Sequence, residues 1–319
     1  MTELSPMLAA KYDAKKQKFP SLSSVKIDGF RCIARHGRAL TRSLKEHTNR
    51  HLKQLFSENA EALEGMDGEL VIGPPHNVYT KHEINGEEVT ETDDVFERTS
   101  GSLRRFDGKP EFSFYVFDLV LPGYTFEDRY AELCRRALNA PSWVHVVEQK
   151  EVKSIADVEE EHDAAVKNGY EGIMLRSFDG YYKFGRTTTN EGILNKVKKR
   201  VDNEARIVGF VEERQNNNVA VIDETGHLKR SSHAANKVGK GTLGAFVGVV
   251  VNGPQKGEFF TCGSGFTASQ RKSFWKHRDS LLGTFFTFEH LLIGAKVAPR
   301  HPVFKRLRPD WDMDTEDTQ

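Results

Sequence analysis

Residues 24–32 read SVKIDGFRC, and the way this stretch folds decides the architecture around it. Val25 and Ile27 alternate with polar neighbours, Asp28-Gly29 is turn chemistry, and Phe30, Cys32 and Ala34 alternate again as far as His36-Gly37. A period of two broken by an Asp-Gly pair predicts short antiparallel strands joined by a turn, with Lys26 at a strand end. Average residue usage produces K-x-D-G by chance in roughly one chain in ten of this length. The motif alone therefore leaves Lys26 as either a solvated amine beside a turn or a nucleophile.

Working outward, Leu52, Leu55, Phe56, Ala60 and Leu63 recur at helical spacing, and MDGELVIG (66–73) predicts a strand beginning in a turn. Residues 74–110 are polar and turn-rich, which predicts a surface excursion. FSFYVFDLVL (112–121) predicts an apolar strand, and Thr125 to Leu138 a helix opened by a capping box of Thr125 with Asp128. A second helix, from Ile155 to about Asn168, is stopped by Gly169, and EGIMLR (171–176) predicts a buried strand. Beyond NKVKKRVDNEA (195–205) come short β runs, ARIVGFVEE, NVAVID, GAFVGVVV, GEFFTCG and GTFFTFEHLL, interrupted by one helix at about 268–277. Such spacing predicts a small barrel and a boundary near residue 200. The expected class is α+β: domain 1–200 with antiparallel sheets flanked by helices, then domain 201–319 as a β-barrel, ending in an acidic tail (310–319) expected to fray.

Composition excludes several classes. The 319 residues are 38% hydrophobic, 10% aromatic and 29% charged, enough for a core and unlike a disordered chain. No apolar run approaches bilayer-spanning length, and MTELSPMLAAKYDAKKQKFP lacks the order of a signal peptide, so an intracellular protein without membrane contact is expected. Cys32, Cys134 and Cys262 are scattered, which argues against a disulfide framework or a zinc site. Lys+Arg and Asp+Glu both number 46, so any nucleic-acid affinity must rest on local clustering.

Three further groups give Lys26 possible company. Glu69, in DGEL, offers a carboxylate to a ribose hydroxyl or a metal; Glu171 stands at the mouth of an apolar strand, suiting Mg²⁺, which takes one or two carboxylates plus phosphate oxygens. Lys196 and Lys198 alternate on one strand and so share a face, where their repulsion would be relieved by an anion such as a triphosphate.

Read in order, KIDGFR (26–31), DGEL (67–70), FYVFDL (114–119), EGIMLR (171–176) and KVKK (196–199) resemble the motifs of covalent nucleotidyltransferases, specifically ATP-dependent DNA ligases. YYKFGRTTTNEGILNKVKK (181–199), KRSSH (229–233), GSGFTASQRKSFW (263–275) and PRHPVFKRLR (299–308) resemble the compact viral members, and the likeness spans about residues 20–309. The resemblance implies a nucleotidyltransferase domain followed by an OB-fold, with ATP and Mg²⁺ (or Mn²⁺ in its place) as cofactors. It implies that Lys26 attacks the α-phosphorus of ATP, its amine deprotonated by burial and by the cations Arg31, Lys196 and Lys198. Arg31 and Arg42 would contact phosphates of ATP or the nick, Glu69 the ribose or the metal, Phe117 the adenine face, and Glu171 the Mg²⁺. Lys196 and Lys198 would stabilise charge on the α-phosphate, and Arg300 would help expel pyrophosphate. For Arg42 this chain has TRS where the family has Ser-Arg before a polar residue, and at Arg300 cellular members carry Arg-x-Asp-Lys.

The segment RQNNNVAVIDETGHLKRSSHAANKVGKGT (214–242) is long for a hairpin loop, and its Lys229, Arg230, His233, Lys237 and Lys240 suit a basic hairpin latch, at about 214–240, on DNA. The implied partner is nicked duplex DNA, bound by a monomer with no obligate protein partner. An RNA ligase, an mRNA capping guanylyltransferase and a non-catalytic OB-type nucleic-acid binder are the competing readings. An NAD-dependent ligase would need a four-cysteine zinc site that this sequence lacks.

Overall fold

The computed structural model describes residues 4–84, 87–198, 200–223, 228–253, 255–291 and 298–308; the acidic tail lies outside them. The chain divides into two compact units, the first running to Lys198 and the second beginning at Lys199. Among the described residues no helix is long and apolar enough to cross a membrane.

Two five-stranded sheets build the first unit. One has the order Lys150–Val152, Ser21–Val25, Ile173–Arg176, Leu194–Val197, Ala10–Lys11; the other Val144–Val146, Phe112–Leu119, Met66–Ile72, Phe30–Arg35, Arg38–Leu40. Pairing is antiparallel except at one edge of each, where Ala10–Lys11 and Val144–Val146 run parallel to their neighbours. The expectation of a hairpin at Asp28-Gly29 is corrected here. Ser21–Val25 and Phe30–Arg35 belong to different sheets, so the turn carries the chain from one sheet to the other. Gly29 is needed there because a Cβ would stand 2.5 Å from the Leu70 carbonyl oxygen. Asp67-Gly68, read as a turn, lies inside the strand Met66–Ile72 at a register shift against Phe112–Leu119.

Phe112–Leu119 alternates faces as its sequence predicts. Phe114 and Val116 pack with Leu52, Phe56, Leu63 and Leu133 under the helices Arg50–Glu58 and Phe126–Ala137. Tyr115 and Phe117 face the other way, onto Val25, Ile27, Val71, Val95 and Val147, a cluster that joins the two sheets. Thr125 and Asp128 close a capping box on the second of these helices, worth about 1 kcal/mol. The excursion 74–110 is more ordered than its composition suggests: a ribbon of Val78–Ile84 with Glu87–Asp93 is followed by a helix, Val95–Leu103, that buries Val95, Thr99 and Leu103.

The second unit is a five-stranded sheet ordered Phe259–Cys262, Lys237–Val250, Arg200–Asn216, Phe285–Leu291, Arg300–Arg308. Its two edges meet where Ser264 bridges Val303 and the Phe304 N–H donates to the Ser264 carbonyl at 2.9 Å. Phe246 sits at the centre of the core, with five other phenylalanine rings at 5.0–5.8 Å. The runs ARIVGFVEE and GAFVGVVV extend into strands of 17 and 14 residues. Between them projects a short ribbon, Ala220–Ile222 with Leu228–Arg230.

Candidate active site

Three neighbouring strand ends bring the central groups together. The ladder pairing Val25 with Ile173 continues one step, as the Lys26 N–H donates to the Gly172 carbonyl at 2.8 Å and the Glu171 N–H to the Lys26 carbonyl at 3.3 Å. On the other flank Ile173 pairs with Val197, which puts Lys198 just past its strand end. The Glu171 carboxylate, 4% exposed, is shared: Oε2 takes the Lys26 ammonium and Oε1 that of Lys198. Gly172 makes the approach possible. It sits at φ +146° with a Cβ position 2.2 Å from the Val197 carbonyl oxygen, so no side chain fits.

The electrostatics correct one expectation. Burial pushes the Lys26 amine down, but Glu171, helped by Glu69 and Asp28, outweighs it, and the ammonium is held above its ordinary value. Of the cations credited with deprotonating Lys26, Lys198 is itself held by that carboxylate and Arg31 by Asp67. Burial would raise Glu171, yet Lys26 and Lys198 together bring it down to about 2. Lys196 and Lys198 are both lowered, first by burial; Lys198, Arg186 and Lys26 add to this at Lys196, and Lys26 adds to it at Lys198 against the opposing pull of Glu171. Burial raises Glu69 to about 7, and its Oε2 is buried with no hydrogen-bond partner.

Arg31 is placed differently from the expectation that it faces a phosphate beside Lys26. Arg31 donates from Nε and Nη2 to the two oxygens of Asp67, at 2.6 and 2.7 Å, and its guanidinium lies 4.7 Å from the centre of the Phe117 ring. Phe117 is half-buried, with the Arg176 guanidinium 5.3 Å away. Asp67 also accepts from the Tyr182 hydroxyl at 2.7 Å. Asp118 accepts from Arg129 at 2.7 and 3.2 Å and from Arg176 at 2.8 Å, all three being buried. Sequence reading missed these five supporting residues, and two signals could have found them. Asp118 stands in an apolar strand, where a carboxylate needs a partner, and Arg129 falls on the apolar face of its helix with Phe126, Tyr130 and Leu133.

The remaining candidates are distributed over both units. Arg42 is exposed in the turn after Arg38–Leu40. In the second unit, Lys229 and Arg230 are exposed on the ribbon, where Arg230 donates to the Asn218 carbonyl, while Lys237 and Arg300 each open a strand. The expected metal ligands do not make a resident Mg²⁺ site: both Glu171 oxygens are held by lysines, and the described residues contain no group of three or more His, Cys, Asp or Glu side chains able to hold a metal.

A lysine and a carboxylate at adjoining strand ends between two sheets, followed by an OB-type unit, define a nucleotidyltransferase-type protein. Residues 6–198 match the ATP dependent DNA ligase domain family and residues 237–308 the DNA ligase OB-like domain family. The chain belongs to the ATP-dependent DNA ligase family. It is similar to a DNA ligase of Enterobacteria phage T6, 26% identical over 258 residues, covering 67% of this chain and 52% of that ligase; the chain thus spans about half the length of this curated relative. Among solved structures it is similar to the chlorella virus DNA ligase-adenylate, 27% identical, covering 96% of this chain and 99% of the other, with a TM-score of 0.51. A Lig E DNA ligase, 22% identical and covering 95% and 99% of the two chains, shares the fold at a TM-score of 0.66.

Proposed function

We propose that the chain joins 5′-phosphate and 3′-hydroxyl ends at a nick in duplex DNA, using ATP. The observation that carries this reading is the Lys26–Glu171–Lys198 constellation at three adjacent strand ends, with Lys196 beside it. In the first step the Lys26 amine, freed of its proton, attacks the α-phosphorus; the nitrogen–phosphorus bond forms as the bond to the bridging oxygen of pyrophosphate breaks. Lys196 and Lys198 neutralise the charge that builds on the phosphate oxygens. AMP then passes to the 5′-phosphate, and the 3′-hydroxyl displaces it to form the phosphodiester.

Glu69, with its unpartnered buried oxygen, is the group available to a ribose hydroxyl. Phe117 offers a ring to the base, and Asp67, through Arg31, fixes the cation beside that ring. Arg42, Lys229, Arg230 and Lys237 contribute backbone phosphate contacts, and Arg300 assists departure of pyrophosphate. Mg²⁺ belongs to this reading as a companion of the ATP phosphates, not as a resident ion. Sealing of a nicked duplex carrying a labelled 5′-phosphate tests the proposal. Wild type should seal with ATP while Lys26→Ala loses at least about a thousandfold in rate, since a covalent nucleophile has no substitute. Sealing of nicked RNA alone, or sealing by Lys26→Ala, would overturn it.

A further inference from the structure

The N-terminal segment AKYDAKKQK (10–18) carries Lys11, Lys15, Lys16 and Lys18, and all four are exposed. Elsewhere in the first unit some exposed cations pair with acids, as Lys150 does with Glu161 and Arg135 with Glu132, while others, such as Lys109 and Lys167, stand singly among the described residues. These four lysines have no ion pair among the described residues. Asp13, within the same turn, caps it, accepting at Oδ1 from the Lys15 N–H at 3.1 Å while its carbonyl accepts from the Lys16 and Gln17 N–H groups at 3.0 Å. Glu159, on the neighbouring helix, bears on the Tyr12 hydroxyl.

The turn is also fastened to the strand that carries Lys196. Lys11 pairs with Lys196 in a parallel register, so the two side chains share a face of the sheet. The Tyr12 N–H donates to the Lys196 carbonyl at 3.1 Å, and Asn195 Nδ2 donates to Gln17 Oε1 at 3.0 Å. Gln17 in turn donates to the Lys18 carbonyl at 2.8 Å and to Ser21 Oγ at 2.9 Å. A flexible solvated loop needs none of these ties. They fix the backbone of the turn relative to the strand of Lys196, so that four exposed lysines are presented beside it on one ordered segment, as contacts to a phosphate backbone require.

We propose that this lysine turn is a docking surface for the phosphodiester backbone of duplex DNA, leading outward from Lys196; the inference rests on the ligase reading given above. It adds affinity and register without base contacts, so its effect is independent of sequence and weakens with salt.

The test compares wild type with the triple variants Lys15→Ala/Lys16→Ala/Lys18→Ala and Lys15→Arg/Lys16→Arg/Lys18→Arg, measuring affinity for a nicked DNA duplex as salt is raised. The alanine variant should bind roughly tenfold more weakly at low salt, with the slope of log K against log salt reduced by about 2 to 3, near 0.9 per lost phosphate contact. The arginine variant should keep the wild-type slope. Unchanged affinity and slope in the alanine variant would overturn the proposal. So would equal loss in the arginine variant, which would trace the effect to altered structure, and so would a loss confined to duplex RNA. Uptake of label from α-labelled ATP without DNA is followed in parallel; a wild-type chain that takes up none overturns the ligase reading while the binding comparison still decides the role of the turn.

Discussion

A lysine whose ammonium is held by a buried carboxylate is a poor nucleophile until that carboxylate is drawn off, and Lys26 is in this state. Glu69 is the second strained group. Its folded value of about 7 lies above the ordinary 4.5, so between those limits the folded chain keeps a proton that the unfolded chain has lost. Stability therefore falls as pH rises through that window, and the loss is complete above it. Glu69→Gln should stabilise the protein by roughly 2–3 kcal/mol at about pH 8 and by little at about pH 4. Urea unfolding at the two values checks this, and a pH-independent difference would contradict it. Lys26, Glu171, Lys196 and Lys198 could be singled out in the sequence only as an ordered set of motifs resembling a family, since K-x-D-G alone left Lys26 undecided. Asp67 and Tyr182 were not, because a buried carboxylate and its partner 115 residues away leave no local pattern.

Among the elements, the loop entering Ile173–Arg176 is the most constrained. Gly172→Ala would press a Cβ onto the Val197 carbonyl in a backbone conformation that side chains rarely adopt, and should cost about 3 kcal/mol, lowering the unfolding midpoint by roughly 6–12 °C. Gly101→Ala is the contrasting case: it lies in the helix Val95–Leu103 with open space around its Cβ position, and should be neutral or stabilising by up to about 1 kcal/mol. Thermal unfolding of both variants separates the two effects; equal midpoints would refute them. Strands and capped helices could be read from periodicity and caps, but the partner of each strand could not. A period of two fixes a face and says nothing about which sheet receives it, so Asp28-Gly29 looked like a hairpin and proved to be a crossing between sheets. The helix Val95–Leu103 was hidden because Thr99 counts as polar, although its hydroxyl is buried and accepts the Ile72 N–H at 3.1 Å.

For the whole molecule, a small barrel was legible from its regular strand texture, its OB type from the family resemblance, and the basic insertion from its length. The structure refines where that insertion ends: Asn216 pairs with Lys237, so the segment can be removed between them without cutting the long strands. Joining Asn216 to Lys237 by a short turn should weaken binding to nicked DNA by roughly tenfold and reduce its salt slope, while leaving label uptake from ATP unchanged. Equal binding by the shortened chain, measured by gel shift, would show that the ribbon has no part in holding DNA. The central claim is that Lys26 is the nucleophile, and the site of a covalent adduct tests it most directly. Wild type and Lys26→Ala are incubated with Mg²⁺ and α-labelled ATP or GTP, then digested and mapped. The account predicts label from ATP on the peptide containing Lys26 and none in the variant; label from GTP alone, or label that survives Lys26→Ala, would contradict it.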